Sequence, residues 1–383
     1  MPLRAFLVVL SLSVLATACS DRKDAQVPSK PSGQKPEVES TGVPASEPSP
    51  EKQEKLSRVS TLSEQLHQQA LNDAVALHAS TTNLRKNHSF ETLQKSRELW
   101  LASHRSLQAL WSLYVLDSPA ELLKQHPNNS SFQYRSILDQ TPLLPGYLDT
   151  VEGYPASGLV HALDLPISHA LLEEKHLFAD PLFLTYGMHP LEFMLWSKSG
   201  LSADLNSDAP QPATTASEDA MQVMQRRLEL VDTLSTDLVS YLTQLKALWH
   251  QKSPLNAFLP SDTPTKRNEQ HPQLEQVMRI IDRLILAELT PLEGEPGWHY
   301  QEHMVYAEDS AHFWQGRVDG LTSSLTLWKN NTAPVEQEVS ELRECLIALS
   351  PTDTKQQEQI QSCEALALSL REKLIIRFSE ISS

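Results

Sequence analysis

Met224-Gln225-Arg226-Arg227-Leu228-Glu229-Leu230-Val231, running on through Leu238, Leu242 and Leu245 to Trp249, decides the fold of this chain. Its apolar residues recur at steps of three and four, with Ser235 the one polar member of the series. Those steps line up on one face of an α-helix, and a stripe sustained over about seven turns must be buried against other helices. The same period appears on both sides. Leu62, Leu66, Ala70 and Ala74 mark a helix over Leu56–Arg85. Leu93, Trp100, Leu107 and Tyr114, with Leu110 and Trp111 between them, mark a second, for which Ser89 is the N-cap. Leu274, Val277, Ile281 and Leu284 mark another, and further helices are expected over Gln301–Lys329, Val335–Leu349 and Lys355–Phe378. No segment alternates with period two, and the 11 glycines are few for a sheet with many tight turns. The expectation is an all-α fold. About eight amphipathic helices exceed one four-helix bundle, so two packed bundles are expected, approximately residues 56–210 and 211–383. Asp117 to Asp180 is the exception, a long proline-bearing and aromatic stretch. A loop of that length inside a compact domain is usually functional or misassigned, and its leading directly into Gly187 favours function.

The start of the chain reads as an address rather than as structure. Arg4 precedes an apolar run from Ala5 to Ala16 that is too short to span a bilayer. Leu15-Ala16-Thr17-Ala18-Cys19 resembles a bacterial lipobox, with the leucine one position further from the cysteine than is usual. That implies a signal peptide over residues 1–18, lipidation at Cys19, and attachment to the bacterial cell envelope. Ser20 stands where an inner-membrane retention signal carries aspartate, which favours the outer membrane. Residues 19–55 are rich in Pro, Ser, Lys and Glu and form a disordered tether. The formal charge of −16 disfavours nucleic acid and anionic lipid as partners. Cys345 and Cys363 remain, each on an apolar helical stripe. In an oxidising compartment they are expected to pair across the Ser350-Pro351 break; otherwise they are two small buried hydrophobes.

The residues that carry chemistry are Gly187-Met188-His189-Pro190-Leu191-Glu192, followed by the apolar Phe193-Met194-Leu195-Trp196. Residues i and i+3 share a helix face, so His189 and Glu192 can reach one small object. Imidazole with carboxylate suits iron or zinc. The bland reading is a structural hydrogen bond at a helix start. The helix dipole favours Glu192 there and disfavours imidazolium, which predicts a neutral His189. Two ligands do not close a site. The densest further source is Trp298-His299-Tyr300-Gln301-Glu302-His303 with Glu308, Asp309 and His312, where Glu308 and His312 share a face if the segment is helical. Glu308 and His312 are therefore the expected completing ligands. No His-Glu-x-x-His zinc motif, nucleophile triad or Gly-rich phosphate loop is present.

Several stretches together resemble the imelysin family of bacterial envelope proteins. They are Leu143-Leu144-Pro145-Gly146-Tyr147-Leu148-Asp149, Ser157-Gly158-Leu159-Val160, and the Gly187-x-His189-x-x-Glu192 motif. Arg97-x-x-Trp100 with Arg105 is similar to that family's second-helix signature, and Glu308-Asp309-Ser310 with Phe313 to its C-terminal segment. Two positions depart. Pro190 lies inside the motif, which a helix starting at Pro190 tolerates, and Trp314 stands where a serine is expected. The resemblance covers about Leu56 to Phe378. It implies a fold of two helical bundles, with Gly187, Tyr147, Asp149, Trp100 and Arg97 supporting the motif. It implies a lipid-anchored protein that binds iron and works with envelope iron-uptake partners, or alternatively a zinc metallopeptidase. The remaining alternative is a non-catalytic interaction module. The site is expected in a cleft where the bundles meet, with the 117–180 stretch as one wall and Tyr147 and Asp149 facing inward.

Overall fold

Ser89 shows how closely local chemistry sets this fold. Its side-chain oxygen accepts from the backbone N–H of Thr92, and the Thr92 hydroxyl accepts from the Ser89 N–H. This reciprocal cap ends one helix and starts the next. The protein is described here by a computed structural model covering residues 50–115, 137–198, 200–205, 218–252, 272–294, 297–327, 335–349 and 356–381. The signal segment, Cys19 and residues 19–49 lie outside the described residues, as do residues 117–136 of the long loop. Pro48–Ser383 form one compact unit.

Among the described residues the regular structure is helical. The α-helices are α1 (Pro50–Lys86), α2 (Phe90–Leu110), α3 (His169–Lys175), α4 (Met188–Trp196), α5 (Leu201–Leu205), α6 (Glu218–Lys252), α7 (Pro272–Ile280), α8 (Ser310–Thr326), α9 (Glu336–Ile347) and α10 (Gln356–Ile381). No strand occurs among these residues, only isolated bridges at Val151–Tyr154 and Pro291–Trp298. The all-α expectation holds. The first helix starts at Pro50, six residues before the expected Leu56, so the end of the tether joins α1.

Helix α6 is the quoted stripe, and it buries Leu228, Val231, Leu238, Leu242, Leu245 and Trp249. It packs along α1 and against α4. Helices α7, α9 and α10 gather with α8, and α2 packs against both α1 and α8. An expected division near residue 210 therefore cuts α6 from the helices it covers. By packing, the change of partners comes after Lys252, and α2 belongs to both sides. The α2–α8 crossing is close because α8 presents Gly316 and Gly320. A Cβ at Gly316 would lie 2.3 Å from the Arg105 carbonyl oxygen, and one at Gly320 would lie 2.8 Å from that of Ala109. Trp100 on α2 and Trp111, in the 3-10 turn that follows it, are fully buried. At about 25 cal/mol per Å² each contributes roughly 5 kcal/mol as an upper figure. They fix the rotation of α2, and with it the polar residues between them.

Two departures from the expected helices shape the site. Gln301–Lys329 is not one helix. A 3-10 turn over His299–Met304 is followed by a break, at which Glu308 takes φ +54°, before α8 begins. Helix α7 also does not run on regularly. It widens into a π-helical turn over Ile281–Leu286 and tightens to 3-10 over Ala287–Leu289. Such turns re-aim the residues beyond them, here Glu288.

Cys345 on α9 and Cys363 on α10 form a disulfide, as expected.

Candidate metal centre

Four side chains meet where α2, α4 and the 299–304 turn come together. They are His104 from α2, Asp139 from the segment before the first proline-rich turn, His189 from α4 and His303 from the 3-10 turn. All four are buried, and their ligand atoms all lie within 4.8 Å of one another. Asp139 Oδ1 is the common point. His189 Nε2 lies 3.3 Å from it, His104 Nε2 3.4 Å and His303 Nδ1 3.6 Å. A tetrahedron with bonds of about 2.0–2.1 Å has edges of about 3.3–3.4 Å. The three distances to Asp139 Oδ1 are close to such an edge, and the four ligand atoms lie near enough together to hold one ion. His303 Nδ1 is buried with no hydrogen-bond partner, a vacancy of bonding that native interiors rarely leave. The residues fit a metal ion in donor type and closeness, and His303 Nδ1 has bonding capacity to spare.

Each donor is held from behind. Trp111 Nε1 donates to Asp139 Oδ2 at 2.7 Å, which leaves Oδ1 for the histidines. Glu192 Oε2 lies 3.2 Å from His189 Nδ1. With the Nδ1 proton turned to that carboxylate, an ion that displaces the Nε2 proton would take that nitrogen's lone pair, the usual outer-carboxylate arrangement at metal sites. His303 turns Nε2 toward Glu288 Oε2 at 3.7 Å, and the buried Arg317 donates to Glu288 Oε1. Helix α2 also fixes both ends of α4. Trp100 Nε1 donates to the Met188 carbonyl and Arg97 Nε to that of Leu195.

Gly187 explains how a loop carboxylate reaches α4. It has φ +93°, and a Cβ there would lie 2.3 Å from the Ile137 carbonyl oxygen and 2.8 Å from that of Leu138. Only glycine lets the backbone just before Asp139 lie against the start of α4. That helix begins at Met188, two residues earlier than expected, and Pro190 still falls in its first turn, where an N–H is not missed.

Charge is shared unevenly. Burial pulls the His104 imidazole down to about 4, against the attraction of Asp139. Burial pulls on His189 too, but Asp139 and Glu192 on either side outweigh it and hold the imidazole up at about 9. Without a metal, the two carboxylates thus favour the charged form of His189, against the neutral form expected from the helix dipole. Burial works to raise the Asp139 carboxyl, and the three imidazoles bring it well below the usual carboxylate range.

The expected residues fall in several places. His189 is at the centre. Glu192 is beside it, but its Oε1 accepts the N–H groups of Tyr306 and Ala307 at 2.9 and 2.8 Å, so it ties α4 to the far bundle instead of facing the other donors. Glu308 and His312 are not among the four. The break before α8 takes Glu308 off that helix, and His312, partly exposed, pairs with Asp309 at 3.0 Å. Tyr147 and Asp149 do not face the centre. Tyr147 stacks on Phe183 and donates to the Lys175 carbonyl, while Asp149 pairs with Arg227. His104 and Asp139 were not singled out from the sequence. A polar pair four residues apart, His104 and Gln108, inside the Trp100–Trp111 apolar stripe was the available signal; nothing marks Asp139.

The Imelysin family model matches residues 64–372. The chain belongs to the imelysin family. No curated protein matches it. The match spans every residue of the centre, so the buried cluster lies in the imelysin region itself. No described helix is long and apolar enough to cross a membrane.

Proposed function

We propose that this imelysin-family protein binds a transition metal, iron, between its two groups of helices and serves iron acquisition at the bacterial envelope, anchored by lipid on Cys19. One observation carries the metal reading: three imidazole nitrogens within 3.6 Å of a single carboxylate oxygen in a buried setting. Three nitrogens and a carboxylate suit iron or zinc. Burial of every donor favours holding an ion over working on a polymer with it. A zinc peptidase keeps an open coordination position beside a substrate cleft and a free general base. Glu192, the nearest carboxylate outside the four, has both oxygens engaged.

Metal analysis of the purified protein beside His189→Ala tests this. The wild type is expected to carry stoichiometric metal and the variant to lose it with its helical circular dichroism unchanged. Equal metal content in both, or none in the wild type under reducing and oxidising conditions, refutes the proposal and leaves an interaction module. Chelator-sensitive cleavage of a peptide library would move the reading to a zinc peptidase. For the anchor, Cys19→Ala is expected to leave the detergent phase that the wild type enters.

A further inference from the structure

Gln108 touches two of the four donors with the wrong end of its amide for a cation. It lies one turn beyond His104 on α2 and is fully buried. Its Nε2 is 2.8 Å from His104 Nε2 and 3.1 and 3.0 Å from the two oxygens of Asp139. Its Oε1 is buried with no partner. His104 Nε2 has one lone pair. When an ion takes it, the Gln108 N–H loses that acceptor and is left aimed at a positive charge. A half-turn about the last side-chain bond exchanges nitrogen for oxygen at the same volume. It sets Oε1 beside the ion, in hydrogen-bond range of the places where His104 and Asp139 hold theirs. On the far side Oε1 has no partner, so the half-turn gives up no hydrogen bond there and the near side decides.

We propose that Gln108 Oε1 is a fifth ligand to the ion held by His104, Asp139, His189 and His303, and that it makes the centre selective for iron(II) over zinc. The inference rests on the reading of the cluster as a transition-metal site. A carboxamide oxygen adds a hard donor without adding charge, and three nitrogens with two oxygens make a five-coordinate shell. Protein zinc sites are mostly satisfied by four ligands, whereas oxygen-bearing shells of higher number suit iron(II).

The rival role for Gln108 is a hydrogen-bond donor that only steadies Asp139, and two variants of the full chain separate the two. Gln108→Leu is expected to lower iron(II) affinity about ten- to hundredfold and zinc affinity far less. With cobalt(II) as the probe, it is expected to change the weak visible bands of a five-coordinate ion into the several-fold stronger bands of a four-coordinate one. Gln108→Glu is expected to tighten binding of both metals and keep the weak bands, because a carboxylate is the better ligand. If Gln108 only donates to Asp139, the same change sets two carboxylates against each other and weakens binding. Weaker binding in Gln108→Glu, equal loss of both metals in Gln108→Leu, or strong four-coordinate bands in the wild type would each overturn the inference and leave the metal site standing. A wild type that binds no iron, zinc or cobalt overturns both. If Gln108→Leu fails to fold, the sign of the Gln108→Glu effect still decides.

Discussion

One buried polar cluster joins the 145–165 loop to α6, another joins α2, α4 and the 299–304 turn, and only the first is closed. In the first, Arg227 Nε and Nη2 donate to the two oxygens of Asp149, and Nη1 donates to Asp204. Next to it, Arg226 donates to the carbonyls of Leu159, Val160 and Leu165. Both guanidinium groups spend their donors on protein, and the charges cancel nearby. In the second, three imidazoles crowd one carboxylate oxygen, and His303 Nδ1 and Gln108 Oε1 have no partner. A closed cluster is a clamp that holds the 145–165 loop on α6. An open one, in an equally buried place, keeps lone pairs for something the chain does not supply. Burial and charge alone do not separate structure from site; here unspent bonding on convergent metal-ligand residues does.

The sharpest way to break this contrast is to cut one carboxylate from each cluster. Asp149→Ala leaves the buried Arg227 guanidinium with only the partly exposed Asp204 as its anion, and breaking a buried pair costs about 3–5 kcal/mol. Its chemical denaturation midpoint is expected to fall accordingly, while metal bound per folded molecule stays at the wild-type level. Asp139→Ala is expected to show the reverse: metal binding lost, with a smaller fall in the midpoint of the metal-free protein. If Asp149→Ala abolished metal binding in folded protein, or Asp139→Ala retained it, the division into clamp and site would be wrong.

Acid sharpens the contrast from a different place. His67 is buried in the first group of helices, with Nδ1–H donated to the Ser63 carbonyl and Nε2 accepting from the Tyr114 hydroxyl. Burial pulls its imidazole down to about 4, against about 6.5 in an unfolded chain. Between those values the unfolded state takes up a proton that the folded state refuses. Stability is therefore full above about pH 6.5 and is lost as pH falls toward 4, by roughly 3 kcal/mol for this residue. His104 acts in the same direction. His189, held up at about 9, acts in the opposite one: its contribution is complete below about 6.5 and is lost as pH rises through 9. The metal-free protein is expected to be most stable near pH 6.5, by denaturant titration across pH. His67→Gln should make the acid side shallower and leave the alkaline side unchanged, with His104 and His176 still acting below pH 6.5. A stability curve flat from pH 4 to 6.5 in the wild type would refute this account.

What the sequence made legible follows from range. The stripes on α1, α2 and α6, the Ser89 cap and the Cys345–Cys363 pairing are decided within one helix or one hairpin, where residue spacing is the geometry. His189 was legible for the same reason, since a helix start beside Glu192 is a local pattern. Asp139 lies 50 residues from His189, and its place depends on Gly187 admitting a foreign backbone, which no local period records. His303 was in view, but through an assumed helical face. The 3-10 turn and the left-handed Glu308 broke that face, and with it the expected role of Glu308 and His312.

Glu192 gives the smallest expected change and the finest test of how the open cluster is held. One of its oxygens anchors the Tyr306 and Ala307 amides, and the other faces His189 Nδ1. Glu192→Gln can keep the first task, because a carbonyl oxygen still accepts both N–H groups. It then turns an NH2 toward His189 Nδ1, which must become the acceptor. The imidazole proton moves to Nε2, the nitrogen that faces Asp139, and the lone pair meant for the ion is covered. Losing an outer partner of this kind typically lowers metal affinity ten- to hundredfold, about 1.4–2.7 kcal/mol. Competition with a chelator should show that loss in Glu192→Gln with the unfolding midpoint of the metal-free protein close to wild type. Glu192→Ala, which frees the two amides as well, should lose affinity and stability together. Wild-type affinity in Glu192→Gln would mean that His189 does not need its outer carboxylate, and that the glutamate of the motif serves only to join α4 to the turn before α8.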